Sequence, residues 1–109
     1  MSHESNRGLL DALYDCAAEC NHCAIACLQE KDVKMLERCI RLDLDCAEIC
    51  QVAAGYVARG SELANRLLEL CAEVCNACAD ECEKHEHMEH CKRCADICRK
   101  CADACSQPV

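Results

Sequence analysis

Sixteen of the 109 residues are cysteine, and their spacing is regular. Cys16, Cys20, Cys23 and Cys27 are separated by four, three and four residues, and Cys71, Cys75, Cys78 and Cys82 repeat that rhythm. Cys91, Cys94, Cys98, Cys101 and Cys105 run three, four, three, four, while Cys39, Cys46 and Cys50 make a sparser set. At about 100° per residue, the first set falls within an arc of roughly 60° on a helix. Rows of thiols on one helical face can bind soft cations, namely Cu(I), zinc or an iron–sulfur cluster. Zinc favours closed tetrahedra built from Cys pairs on knuckles or loops, which unbroken helical stripes do not resemble. Cu(I) can be held by two or three thiolates, and each sulfur can bridge two ions. A thiolate paired with Cu(I) is neutral, whereas zinc with four thiolates leaves two negative charges to be desolvated. The residues therefore favour multiple Cu(I) ions per chain. A zinc or metal buffer and a thiol–disulfide redox switch or interaction protein stay open as alternatives. An iron–sulfur carrier is disfavoured, because the C-x2-C-x2-C-x3-C run is absent.

The spacing that makes these stripes also predicts the elements that carry them. Ala, Leu, Glu and Arg dominate between the cysteines and no two-residue alternation occurs, which predicts helices near 8–29, 33–58, 62–85 and 88–106. Asp32 and Ser61 are the expected N-caps, with Gly60 in the central turn. An internal repeat supports the division: CAAECNHCAIAC at 16–27 matches CAEVCNACADEC at 71–82 at seven of twelve positions, an offset of 55. The same offset carries Cys39, Cys46 and Cys50 onto Cys94, Cys101 and Cys105; the extra Cys91 and Cys98 fall opposite Leu36 and Asp43. The expected fold is all-α: one domain over 1–109, an antiparallel up-down four-helix bundle with a cysteine-lined core, built from two similar hairpins at about 8–58 and 62–106. The loops near 30–32 and 83–88 then share one end, the mouth. The opposite end is expected to be closed by ordinary hydrophobic packing of Leu9, Leu13, Ala53, Val57, Ala64, Leu67 and Leu68. Between them the thiols would line the axis over about 21 Å.

Composition narrows the function from another side. Lys and Arg number 12 against 20 Asp and Glu, for a net charge of -8, and Tyr14 and Tyr56 are the only aromatic side chains apart from histidine. Acidity and the lack of stacking platforms argue against a nucleic-acid partner. No apolar run approaches the length of a membrane span, and the polar start MSHESNRG lacks an apolar signal core, so a cytoplasmic protein with reduced thiols is expected. An enzyme is not expected: sixteen near-equivalent thiols single out no nucleophile, and the three glycines form no phosphate loop.

Extending each stripe toward the mouth reaches Met35, four residues before Cys39, His85, three after Cys82, and His87, four before Cys91, with Met88 and His90 nearby. These are candidates for metal entry, against the plainer reading of a solvated His/Glu loop and a gap-filling methionine. Asp43 lies about 40° from Cys39 on the stripe, either a supporting ligand or a stripe-edge residue paired with an arginine. His22 projects away and reads as a surface residue. Tyr14, Ala18, Ile25 and Leu28 form a second apolar face on the first helix, which suggests association of copies through the first hairpin.

The helical stripes, the segment CIRLDLDCAEIC at 39–50 and the His-rich KHEHMEHC at 84–91 resemble the cytosolic branch of the four-helix-bundle copper storage proteins. The similarity runs over nearly the whole chain. It implies many Cu(I) ions inside each bundle, bound mainly by the sixteen cysteines, and assembly into a homotetramer.

Overall fold

The computed structural model describes residues 3–109, with side chains from Ser5 onward; Met1 and Ser2, which open the polar N-terminal stretch, lie outside. Four long helices follow in chain order: α1 (Arg7–Leu28), α2 (Glu37–Ala58), α3 (Ala64–Glu83) and α4 (Glu89–Cys105). A 3-10 turn at His3–Asn6 precedes α1 and another at Val33–Leu36 leads into α2. Each helix packs on its sequence neighbours, and α1 closes the square against α4; across the diagonals the backbones stay apart among the described residues, and only inward side chains such as Cys50 and Cys101 meet. The result is an antiparallel up-down bundle, 47 × 17 × 17 Å.

The narrow cross-section has a simple cause. The residue after Cys16, Cys23, Cys46, Cys78, Cys94 and Cys101 is in each case a buried alanine. Thiols face the axis while methyl groups fill the seams between helices, so no large side chain holds the helices apart along the thiol-lined length. Buried leucine appears only at the ends of the column: Leu10, Leu13 and Leu68 at one, Leu36 at the other. The expected closing residues Leu13, Ala53, Val57, Ala64 and Leu68 are buried there, while Leu9 and Leu67 pack on the core from its edge.

The turns follow from local chemistry. Between α2 and α3, Gly60 adopts φ 68°, with its N–H bonded to Val57 O and that of Ser61 to Tyr56 O. This is a Schellman ending, in which the left-handed residue is glycine because no Cβ opposes it. Ser61 lies further from its helix than expected: its hydroxyl accepts the N–H of Leu63 at 3.1 Å, and α3 begins at Ala64. Asp32 accepts the N–H of Met35 at 3.4 Å and so caps the 3-10 turn rather than α2 itself. The α1–α2 and α3–α4 connections meet at one end, where Arg38 on α2 bonds Glu81 on α3 at 2.8 Å. Outside, Arg99 ties α4 to Asp80 and Glu83 on α3, an exposed cluster of the kind that contributes little to stability.

Candidate metal centre

Helical spacing turns every cysteine inward, and all sixteen are free and buried. Ten form one continuous column of sulfur contacts. Cys105 meets Cys101 at 4.0 Å, Cys101 meets Cys50 at 3.9 Å, and Cys50 meets Cys71 at 3.7 Å. Cys71 meets Cys75 at 3.9 Å, Cys75 meets Cys46 at 3.6 Å, and Cys46 meets Cys16 at 3.7 Å. Cys98 and Cys20, 3.5 Å apart, continue it to Cys94, which lies 3.7 Å from Cys20. Several compact groups of four sulfurs result, and they overlap. Cys16 and Cys46 belong both to the group with Cys50 and Cys75 and to that with Cys20 and Cys98. A set of separate tetrahedral sites would not share members in this way.

Asp43 stands at the mouth side of this column, fully buried. Cys78 and Cys94 donate their thiols to its Oδ1 at 3.1 and 3.3 Å, Cys82 does so at 3.7 Å, and Cys39 donates to Oδ2 at 3.9 Å. The reading of an edge residue paired with an arginine does not hold, because the side chain points between the helices into thiols that can all donate to it. Burial foremost, and Cys94 beside it, push the carboxyl up from 3.8 to about 8.

The thiols influence one another in the same way. Hydrogen bonds with Cys16, Cys20, Cys50 and Cys75 hold the Cys46 thiol far below its usual range, and contacts with Cys20, Cys23, Cys78 and Cys82 do the same for Cys94. Their neighbours bear the opposite effect, with Cys16, Cys46, Cys78 and Cys94 pushing Cys20 far up. Proton affinity is thus shared unevenly along the column, and successive deprotonations become harder until a cation replaces the proton.

At the mouth, Cys27 lies 3.8 Å from Cys91 and 4.0 Å from Cys23. His90 completes this group: its Nδ1 is 3.5 Å from Cys91, 3.7 Å from Cys23 and 3.8 Å from Cys27, while its Nε2 meets Glu30 Oε2 at 3.0 Å. A carboxylate on the outer nitrogen fixes the orientation of the ring, as is common for metal-binding histidines. Cys39 and Cys82 are 3.5 Å apart on the facing helices.

The other residues reached by extending the stripes are placed differently. Met35 is 47% exposed and Leu36 takes the inward position, because the 3-10 turn has three residues per turn and breaks the α-helical register. His85 is buried but bonds Glu81 at 3.2 Å in a network with Arg38 and Lys84, where these partners hold the Glu81 carboxyl low against the upward push of burial. His87 is exposed and its ring stands 6.4 Å from that of His85; Met88 is half-buried against the core, and His22 is exposed as expected. Glu30 and Glu81 escaped the sequence reading, since neither lies on a cysteine stripe.

This arrangement has known counterparts. The family model described as copper storage protein matches residues 2–109. The chain belongs to the copper storage protein family. A cytosolic copper storage protein from Streptomyces lividans, solved with five coppers, is 42% identical, with a TM-score of 0.87 over 90% of this chain and 86% of the other. Cu(I)-bound copper storage protein BsCsp3 is 40% identical over 92% and 93% of the two chains, also at 0.87. The cysteine-rich protein YhjQ of Bacillus subtilis is 43% identical over 83 residues, 76% of each chain.

The buried carboxyl gives the copper-free family member a pH signature. Between 3.8 and about 8, folded Asp43 keeps a proton that the unfolded chain releases, so its contribution is complete below about 4 and is lost as pH rises toward 8. Denaturant unfolding of the reduced apo-protein should therefore show wild type losing on the order of 2–4 kcal/mol between pH 5 and 8 relative to Asp43→Asn. Parallel pH profiles for the two would refute the assignment.

Proposed function

We propose that the protein stores Cu(I) in the cytoplasm, with its sixteen cysteines as the ligands and Asp43 as a supporting group. The observation that carries this reading is the overlap of the four-sulfur groups, since Cu(I) accepts two or three bridging thiolates and lets one sulfur serve two ions. Charge supports the same cargo. One Cu(I) per thiolate leaves the dry interior near neutral, whereas zinc in four-thiolate sites leaves two negative charges per ion, at a large desolvation cost. The activity is storage rather than turnover. The cytosolic S. lividans relative supports the compartment, and no helix among the described residues is long and apolar enough to cross a membrane.

Entry is assigned to the mouth, where His90 and the Cys23, Cys27 and Cys91 thiols take up the incoming cation as one group. Glu30 holds the ring with Nδ1 toward the sulfurs. Met35, His85, His87 and Met88 lie farther out or in other contacts, so any part they take is upstream of His90. A homo-oligomer, a tetramer by family resemblance, would cover the exposed apolar side chains of the first hairpin: Tyr14, Ile25, Leu28, Leu44 and Val52.

Anaerobic Cu(I) titration of the reduced protein against a competing chelator, with zinc in parallel, tests the storage reading. The expected result is tight uptake of on the order of one Cu(I) per cysteine; saturation near four zinc ions in preference to copper would overturn it. In stopped-flow loading, His90→Ala should slow uptake of the first equivalents severalfold with capacity almost unchanged, and an unaltered rate would remove His90 from the entry route. Sedimentation should give an assembly that Ile25→Glu dissociates, and a monomeric wild type would exclude it.

A further inference from the structure

The thiols are not equally sealed. Fourteen cysteines have no exposure, and the two that retain any are Cys105 at 3% and Cys101 at 1%. Both lie at the end opposite the mouth. The cause is an asymmetry between the hairpins. Beyond the last thiols, α1 supplies Leu10 and Leu13, α2 supplies Ala53, Ala54 and Val57, and α3 supplies Ala64 and Leu68, all buried. The fourth wall is missing, because α4 ends at Cys105 itself. The repeat offset of 55 sets Pro108 and Val109 against Ala53 and Ala54 of α2. A proline there has no N–H for the helical bond to Ala104, so the α-helix does not continue.

Residues 106–109 fold back as a strap in place of that wall. Ser106 Oγ donates to Ala102 O at 2.8 Å. Val109 N donates to Asn65 Oδ1 at 2.9 Å, Asn65 Nδ2 donates to Val109 O at 3.5 Å, and the Val109 side chain packs on the core. Between strap and α3 remains a surface cavity of about 420 Å³, lined by Leu68, Glu69, Ala72 and Pro108, with Cys105 among its walls. From Cys105 the sulfur contacts run unbroken into the ten-thiol column, on the far side of Asp43 from the mouth.

We propose that this cavity is a second port, at which a small uncharged thiol exchanges for Cys105 on Cu(I). The proposal rests on the storage reading. The sulfur of the incoming thiol bonds to the copper as the bond to Cys105 breaks, its proton passes to the Cys105 thiolate, and no electron moves. The largely apolar walls and the Glu69 carboxylate favour a neutral thiol over an anionic chelator. Repeating the exchange at the ion's remaining cysteine ligand, with a second thiol giving its proton to that cysteine, frees the copper with the incoming thiolates. The inner column thus empties without traffic past Asp43 and His90, and opening requires release of the two hydrogen bonds that tie the strap to Asn65.

Access is tested without copper. Reduced apo-protein treated under native conditions with substoichiometric iodoacetamide and mapped by peptide mass spectrometry should be alkylated first at Cys105. Asn65→Ala should raise the Cys105 rate severalfold and leave Cys27 and Cys91 unchanged. First reaction at the mouth cysteines, or equal acceleration of all sixteen, would overturn the port. In the loaded protein, Ala72→Phe, which fills the cavity, should slow copper release to 2-mercaptoethanol, and an unchanged release rate would overturn the exchange step. Failure to load copper at all would instead strike the storage reading, with the alkylation order still deciding access.

Discussion

A thiol-lined interior exists only if sulfur can approach sulfur without accumulating charge. Here the contacts are 3.5–4.0 Å, close enough for several thiols to share one small cation. That closeness depends on alanine in the seams, and it is tolerable only while each sulfur carries a proton or an equivalent monovalent charge. The helix period places the thiols, the alanines set the separation, and charge neutrality limits what can replace the protons. Fold stability and cargo preference therefore derive from one constraint.

Much of this was legible in the sequence because a spacing of three and four maps directly onto one face of a helix. The inward turn of every cysteine follows from that spacing, and the four helices and their up-down order follow once the helix-forming residues between the cysteines and the short connections are added. The reading failed where it extrapolated beyond the α-helical register. Met35 sits four residues before Cys39 but lies in a 3-10 turn, so the inward place belongs to Leu36. The internal repeat held the better guide, since Leu36 is the position it sets against Cys91. Asp43 was recognisable as anomalous on a thiol stripe, but its four thiol donors come from three helices and emerge only in the packed bundle. Glu30 gave no local signal at all, because its meaning depends on a histidine sixty positions away.

The two hairpins are near copies, and their differences are concentrated where function needs them. At the mouth, the second hairpin offers Cys91 where the first has Leu36, so thiols and the His90 ring gather toward α1 and α4 while α2 contributes a hydrophobic plug. Deeper in, Asp43 replaces the thiol that Cys98 provides on the opposite helix, and the column acquires a carboxyl at one level only. A perfectly repeated bundle would have the same groups on both sides of its mouth and no polar step along its axis.

The alanine seams also govern what other proteins can sense. Cysteine has a single side-chain rotor, so ions can be accommodated by turning sulfurs within a rigid frame of helices instead of spreading the frame. Such a frame need not change its outer surface between empty and full. A partner that needs to distinguish a charged store from a spent one would then find little signal along the 47 Å flank of the bundle. It would have to read the ends, where residues that cover the last thiols stand between cargo and solvent.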